Sequence, residues 1–316
     1  MIVRKRKFRS AMPLLLLAAA VPAHSVTIQY SGEFGTGSDN FTGVPNLGGC
    51  SGALLADGMH VITAAHCAAT ISVGSGGQTI LTSSGIDHLF FFTGTNPGGI
   101  SDAVTGVHFN PLTTMWFSPD PNFGLMYDLA ILDLAAPAPA DATRYNLDLS
   151  GFAITNNSAV TMAGWGLGGF PGGSVAGTGG TRRAGTNTVF GVFTTADDPG
   201  LPGDPSVALT DSPIALRWTT TSDINTPSNT LGLSNAGDSG GPLVFNGNLI
   251  GVTSFGSVPR SGTIPIGQTF EAGYVNLANP GNADWLNSLL AAPEPGTWML
   301  AAGGGLLMWL RRRAIG

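Results

Sequence analysis

Cysteine is scarce in this chain: 316 residues hold only Cys50 and Cys67. Two thiols at this spacing cannot complete a structural zinc site, so no metal is expected. Lysine is scarcer still away from the ends. Between residues 26 and 292 there is none, and the basic residues there are Arg144, Arg182, Arg183, Arg217 and Arg260. Only Glu294 of the 19 acidic residues falls outside that span, so five positive charges face 18 negative ones, a net charge of −13 against −6 for the whole chain. Such a surface repels nucleic acid and anionic lipid, which excludes a nucleic-acid partner. No apolar run is long enough for a standard membrane span, since the two longest, Leu14–Val21 and Trp298–Leu310, fall short of about 20 residues. Long helical periodicity is missing too.

What is present at the ends reads as addressing. Arg4, Lys5, Arg6, Lys7 and Arg9 precede the Leu14–Val21 run, and Val21-Pro22-Ala23 supplies small residues for cleavage. Residues 1–25 are therefore expected to be a secretory leader, with a retained anchor as the alternative. Export makes a disulfide the default for Cys50 and Cys67. At the other end stand Pro293-Glu294-Pro295, the second apolar run and Arg311-Arg312-Arg313. About 14 apolar residues span ~20 Å as a helix, short of a ~30 Å hydrocarbon core unless the arginines snorkel. Residues 293–316 resemble the Pro-Glu-Pro C-terminal sorting signals of Gram-negative bacteria. That resemblance implies an exosortase-type processing enzyme, besides signal peptidase, and a transient membrane association through the tail. A simple tail anchor is the alternative.

Residues 26–292 are enough for one large core or two smaller ones. Glycine is abundant, at 47 residues, and short β-type runs recur between turn clusters. The runs are Val26–Tyr30, His60–Thr63, Thr79–Thr82, Leu89–Thr93, Leu129–Leu134, Ala159–Ala163, Thr188–Thr194, Ile214–Thr219, Pro242–Phe245, Leu249–Phe255 and Thr269–Leu277. Their spacing predicts an all-β barrel or sandwich. One helix is expected over Ala283–Leu290, with Asn282 as its cap. The glycine-rich stretch from Gly164 to Gly185 reads as a long surface loop.

Chemistry concentrates in two places. Gly237-Asp238-Ser239-Gly240-Gly241-Pro242-Leu243 puts a serine in a glycine-rich turn, and Thr63-Ala64-Ala65-His66-Cys67 puts a histidine beside a cysteine. Serine needs a positioned base to become a nucleophile, and a glycine-rich turn frees N–H groups to face an oxyanion. The turn also fits the G-x-S-x-G elbow of α/β-hydrolases, in which the base follows the serine. All five histidines here, His24, His60, His66, His88 and His108, precede Ser239, which excludes that class. His60 reads as structural, and His88 and His108 as surface or packing residues. His66 is the candidate base. Asp128, at the edge of Leu129-Ala130-Ile131-Leu132, is the candidate carboxylate that orients the ring, with Asp133 as its rival. The N–H groups of Gly237 and Ser239 are candidates for the oxyanion hole.

These segments, with Gly164-Trp165-Gly166 and Gly251-Val252-Thr253-Ser254-Phe255-Gly256, resemble the chymotrypsin-fold, trypsin-like serine proteases. The order His66, Asp128, Ser239 matches the family and differs from that of subtilisins. The resemblance implies an all-β fold of two six-stranded antiparallel barrels, about 26–150 and 151–280, followed by a short C-terminal helix. It implies a catalytic triad of His66, Asp128 and Ser239 in the cleft between the barrels, and a Cys50–Cys67 disulfide beside the histidine. The mechanism it implies is that of the family template.

The same resemblance marks two departures. Leu233 stands at the floor of the specificity pocket, whose walls come from Ser254, Phe255, Gly256 and about Ala272-Gly273. An apolar floor cannot pair a buried lysine or arginine, so small or apolar residues are expected before the scissile bond. Asn235 stands where the family has a pocket cysteine. Asp238 needs a freed α-amino group as partner, yet no lysine or arginine lies between Arg9 and Arg144. Leader removal is expected to expose that group at His24 or Val26. The expected whole is a monomeric, cofactor-free serine endopeptidase acting on protein or peptide, secreted or held at the surface of a Gram-negative cell after crossing the periplasm. A non-catalytic surface binding protein is the alternative, and an esterase a weaker one.

Overall fold

A computed structural model describes residues 32–33, 41–117, 123–151, 154–170, 173–174, 179–193, 208–219, 232–256 and 269–291. The leader, the run Val26–Tyr30 and the sorting tail lie outside the described residues. Among the described residues no helix is long and apolar enough to cross a membrane.

The first half is a five-stranded antiparallel sheet in the order Ala53–Leu54, His60–Thr63, Ala130–Leu134, Ile100–Phe109, His88–Phe91. Its central strand is apolar on its inner face and apolar on the other up to Asp133, which is partly exposed. Ala130, Leu132 and Leu134 pack against Leu54, Leu89 and Phe91 inside the sheet. Ile131 points the other way, into the cluster shared with the second half. Six strands were expected here. The sheet instead stays open as a half-barrel, and between its edges only Asn46, among the described residues, forms isolated bridges, to Phe90 and to Ser51. Gly48 and Gly49 follow with φ of 77° and 136° and turn the chain before it can extend into a sixth strand.

The second half closes fully. Arg183–Val192, Ala159–Gly164, Pro242–Phe245, Asn248–Gly256, Thr269–Asn276 and Ile214–Thr219 follow one another around a ring, and the last pairs back to the first. Val160, Met162, Val189, Leu216, Leu243 and Ile250 fill it. A third cluster joins the halves: Ile62 and Leu129 from the first sheet, Trp165, Leu249 and Val252 from the barrel, and Leu286 from the C-terminal helix.

The helix runs Pro280–Leu290, three residues earlier than expected. Asn279 caps it, its side chain accepting the Gly281 N–H at 3.0 Å. Proline in the first turn supplies a helical φ and lacks only an N–H that would be unpaired there. Asn282 is buried instead, tying Asn110 Nδ2 and Asn276 O at 2.8 Å each. The glycine-rich stretch is not wholly surface loop either. Trp165, Arg182 and Arg183 in it are 4%, 0% and 2% exposed. Trp165 Nε1 donates to Val44 O at 2.8 Å, and the Arg182 guanidinium lies 5.3 Å from the Trp165 ring centroid. Arg182 Nη1 reaches Phe92 O at 2.9 Å, so a buried cation here is stacked and hydrogen-bonded rather than bare.

Candidate active site

His66 sits on a one-turn helix, Ala65–Ala68, that follows the strand His60–Thr63. Ala64 and Ala65 are fully buried, and Cys67 is disulfide-bonded to Cys50, so the backbone carrying the ring is held on both sides. Asp128, 1% exposed, grips His66 twice. Its Oδ2 lies 2.7 Å from the ring Nδ1, and its Oδ1 accepts the His66 backbone N–H at 2.9 Å. An ionised carboxylate can only accept, so Nδ1 carries a proton, and in the neutral ring Nε2 keeps its lone pair. Ser254 Oγ also donates to Asp128 Oδ2, at 2.6 Å.

Burial alone would push the Asp128 carboxyl up and the His66 ring down. The opposite charges, with the hydrogen bonds from His66 and Ser254, outweigh it, so Asp128 titrates below and His66 above the ordinary value. Asp133, the rival carboxylate, instead holds His108 Nε2 at 2.8 Å on the outer face of the first sheet, and His60 pairs with Asp57 at 2.8 Å.

The serine turn belongs to the second half but is pinned by the first. Gly237 and Gly240 have φ of 94° and 83°. A Cβ on Gly240 would lie 2.0 Å from Thr63 Oγ1 and 2.1 Å from Ser51 O, so only glycine fits. Ser51, fully buried, donates its N–H to Ser239 O at 2.7 Å and its hydroxyl to Gly237 O at 3.0 Å. The same hydroxyl accepts the Trp165 N–H at 2.9 Å. Ser239 O also lies 3.5 Å from Cys67 Sγ, which brings the serine turn against the residue after His66. Among the described residues the N–H groups of Gly237 and Ser239 have no hydrogen-bond partner, and no hydrogen bond joins Ser239 to His66. Catalytic hydrogen bonds are commonly long until substrate is bound.

Asp238 points the other way and is 3% exposed. It accepts the N–H groups of Gly166 and Asn235 at 2.8 Å each. The α-amino partner expected at His24 or Val26 lies outside the described residues.

A cleft of about 340 Å³ opens beside the His66–Asp128 pair, lined also by Ile71, Gly124, Leu125, Ser254 and Phe255. Leu233 and Ala272, 2% and 0% exposed, pack in the barrel core. The Phe255 ring lies over Gly273, where a Cβ would come within 2.1 Å of it, and Gly256 is exposed at the strand end. Cys50, His66 and Cys67 group their donor atoms within 4.8 Å, but both sulfurs are bonded to each other and His66 is left as one ligand. Two contributors were not anticipated from the residues. Ser51 clamps the serine turn, and Ser254, expected as a pocket wall, bonds Asp128. Neither carries a local signal, because both contacts join residues more than a hundred positions apart.

The family model described as Trypsin matches residues 23–272. The chain belongs to the trypsin family. Its fold is shared with solved structures at low identity. Human heparin binding protein superposes with a TM-score of 0.52 at 20% identity, covering 82% of this chain and 96% of the other. Neuropsin, a serine protease expressed in the limbic system of mouse brain, superposes with a TM-score of 0.50 at 18% identity, covering 76% of this chain and 88% of the other. No curated protein sequence matches the chain. Membership of the trypsin family carries a chymotrypsin-like fold and implies a peptide substrate.

Proposed function

We propose that this trypsin-family chain is a secreted serine endopeptidase whose triad is His66, Asp128 and Ser239. The observation that carries the reading is the double grip of Asp128 on His66, which leaves Nε2 as the free base beside the serine turn. His66 takes the Ser239 hydroxyl proton as the oxygen attacks the peptide carbonyl. The ring becomes imidazolium, and buried Asp128 stabilises it. The unpartnered N–H groups of Gly237 and Ser239 receive the oxyanion. His66 then returns the proton to the leaving amine, and a water repeats the sequence to release the acyl group.

We read a preference for a small or apolar residue before the scissile bond from the apolar side chains at Leu233 and Ala272, although both pack in the barrel core rather than line the cleft beside His66. A cationic side chain would be buried there unpaired. The domain reading is a leader over 1–25, the protease over 26–292 and a sorting tail over 293–316. Export places the enzyme outside the cell or at its surface. We read Asp238 as the anchor for an amino terminus exposed by leader removal.

The fold also supports binding proteins, as the name of human heparin binding protein records. Heparin is a polyanion, and a surface of net charge −13 over residues 26–292 repels it. Labelling with a fluorophosphonate separates the two readings. The expected result is label on the wild type and none on Ser239→Ala. No label on either makes the chain a binding module. A peptide library on the unlabelled wild type tests the pocket, and fastest cleavage after arginine would refute the apolar preference.

A further inference from the structure

Asp211 is a second buried carboxyl beside the His66–Asp128 pair, 2% exposed, on the segment that leads into the barrel strand Ile214–Thr219. Its Oδ2 accepts the backbone N–H of Tyr127 at 2.9 Å, across the boundary between the two halves. Its Oδ1 has no hydrogen-bond partner among the described residues. Tyr127 directly precedes Asp128 and has a φ of 54°, a left-handed conformation that a bulky residue adopts only when its surroundings impose it. The other side of that turn is held as well. Tyr127 O accepts Thr113 Oγ1 and the Leu129 N–H, each at 2.7 Å. The Asp211 segment is itself anchored. Asn279 Nδ2 and the Tyr127 hydroxyl donate to Thr210 O at 3.0 and 3.2 Å, and Asn276 Nδ2 donates to Ser212 O at 3.3 Å.

We propose that Asp211 is a positioning residue, supplied by the second half of the fold, that fixes the Tyr127–Asp128 peptide so that the Asp128 carboxylate meets both the ring and the N–H of His66. The proposal rests on the triad reading above. Without the acceptor at Asp211, the part-buried Tyr127 N–H loses its partner, and the left-handed turn loses one of its supports. A small rotation there moves Asp128 away from two hydrogen bonds whose lengths are 2.7 and 2.9 Å. An uncharged amide could accept the same N–H, so the carboxyl adds a second consequence. The charged group that faces it is Asp128 on the Tyr127 turn, and the Tyr127 hydroxyl donates to the neighbouring Thr210 O. Burial, with the Asp128 charge adding to it, pushes the Asp211 carboxyl up to about 6. Ionised above that pH, it sets a second negative charge beside Asp128.

The test is kinetics from pH 5 to 9 on a peptide substrate with an apolar residue before the scissile bond, with Asp211→Ala and Asp211→Asn beside the wild type. Asp211→Ala is expected to lower kcat by about 100-fold with KM little changed, the size of a misplaced catalytic group. Asp211→Asn, which keeps the acceptor, is expected to recover most of kcat. Wild-type kcat in Asp211→Ala overturns the proposal, as does an Asn variant as slow as the Ala one. If Asp211→Ala does not fold, Asp211→Ser, whose shorter side chain withdraws the acceptor, takes its place, and wild-type kcat in that folded variant overturns the proposal. Failure of the triad reading shows differently, as a wild type that takes no fluorophosphonate at Ser239.

Discussion

Ser51, in the first half of the fold, holds Gly237, in the second, through a hydroxyl-to-carbonyl hydrogen bond of 3.0 Å. The bond turns the Gly237 carbonyl toward the first half, and among the described residues the Gly237 N–H has no hydrogen-bond partner. Ser51 N–H holds the Ser239 carbonyl in the same way, at 2.7 Å. The serine turn is therefore shaped by a residue outside its own half. Ser51→Ala leaves the Gly237 carbonyl and the Trp165 N–H without this partner. The expected outcome is a loss of about 1–3 kcal/mol in a denaturant melt, with a fall in kcat that exceeds any change in KM. Unchanged kcat in a folded variant would show that the turn keeps its shape alone.

Asp128→Asn keeps a similar shape but removes the charge that His66 pairs with. From the family template, kcat is expected to fall by about 10⁴-fold. The pH profile has a defined sign. His66 must be neutral to act as base, and its ring titrates above its ordinary value because of Asp128. Wild-type kcat/KM therefore rises with pH through a midpoint above 6.5. In the variant that midpoint moves down. A midpoint that stays in place would mean that Asp128 does not set the ring.

Cys50 and Cys67 close a loop with a sequence separation of 17, and the second of them adjoins His66. A loop of this length constrains the unfolded chain by about 3 kcal/mol. The double variant Cys50→Ala, Cys67→Ala is expected to melt lower by that amount. Comparison of melts with and without reductant checks it: a reductant should lower the wild type to the level of the variant and leave the variant unmoved.

Gly240→Ala meets two obstacles together: a φ of 83° and a Cβ that would fall 2.0 Å from Thr63 Oγ1 and 2.1 Å from Ser51 O. Neither neighbour can retreat, because Thr63 Oγ1 itself donates to Ser51 O at 2.7 Å. A loss of about 3 kcal/mol or more is expected, or failure to fold. Gly247→Ala shares the left-handed φ, at 82°, but meets nothing within 4 Å. It serves as the control for backbone strain alone, and the difference between the two melts measures the steric part.

Asp211 links stability to pH. Its folded-state value of about 6 lies above the ordinary 3.8, so the folded form holds the proton more tightly than the unfolded one. That contribution is complete below about pH 4 and is lost as pH rises toward 6, amounting to about 3 kcal/mol. Asp211→Asn lacks this dependence. The gap in Tm between the variant and the wild type should therefore move in the variant's favour from pH 4 to pH 7. A gap that stays constant would mean that the carboxyl is not strained by its burial.

Local chemistry made much of the fold legible from residues alone. The run His60–Thr63 became a strand with those limits, and Ala159–Ala163 and Pro242–Phe245 did so to within one residue, because turn residues bound each run. The helix start was misread at Asn282, although Asn279-Pro280 carries the stronger start signal. Glycine abundance misled over 164–185, where Trp165 and two arginines go inside. A loop-like composition cannot show that a stacked pair of cation and indole lies within it.

The sequence by itself determined the chemistry on offer: a serine in a glycine turn, a histidine fixed beside a cysteine, a carboxylate at the edge of an apolar run, and the family whose order these follow. Those are properties of short segments, set by residue type and spacing. Only the tertiary structure decided which groups meet. It placed Ser254 on Asp128, Ser51 under the serine turn and Asp211 behind Tyr127. Each of these contacts spans 84 to 186 residues of chain. Such contacts depend on how two sheets pack against one another, and no local pattern of residues encodes that.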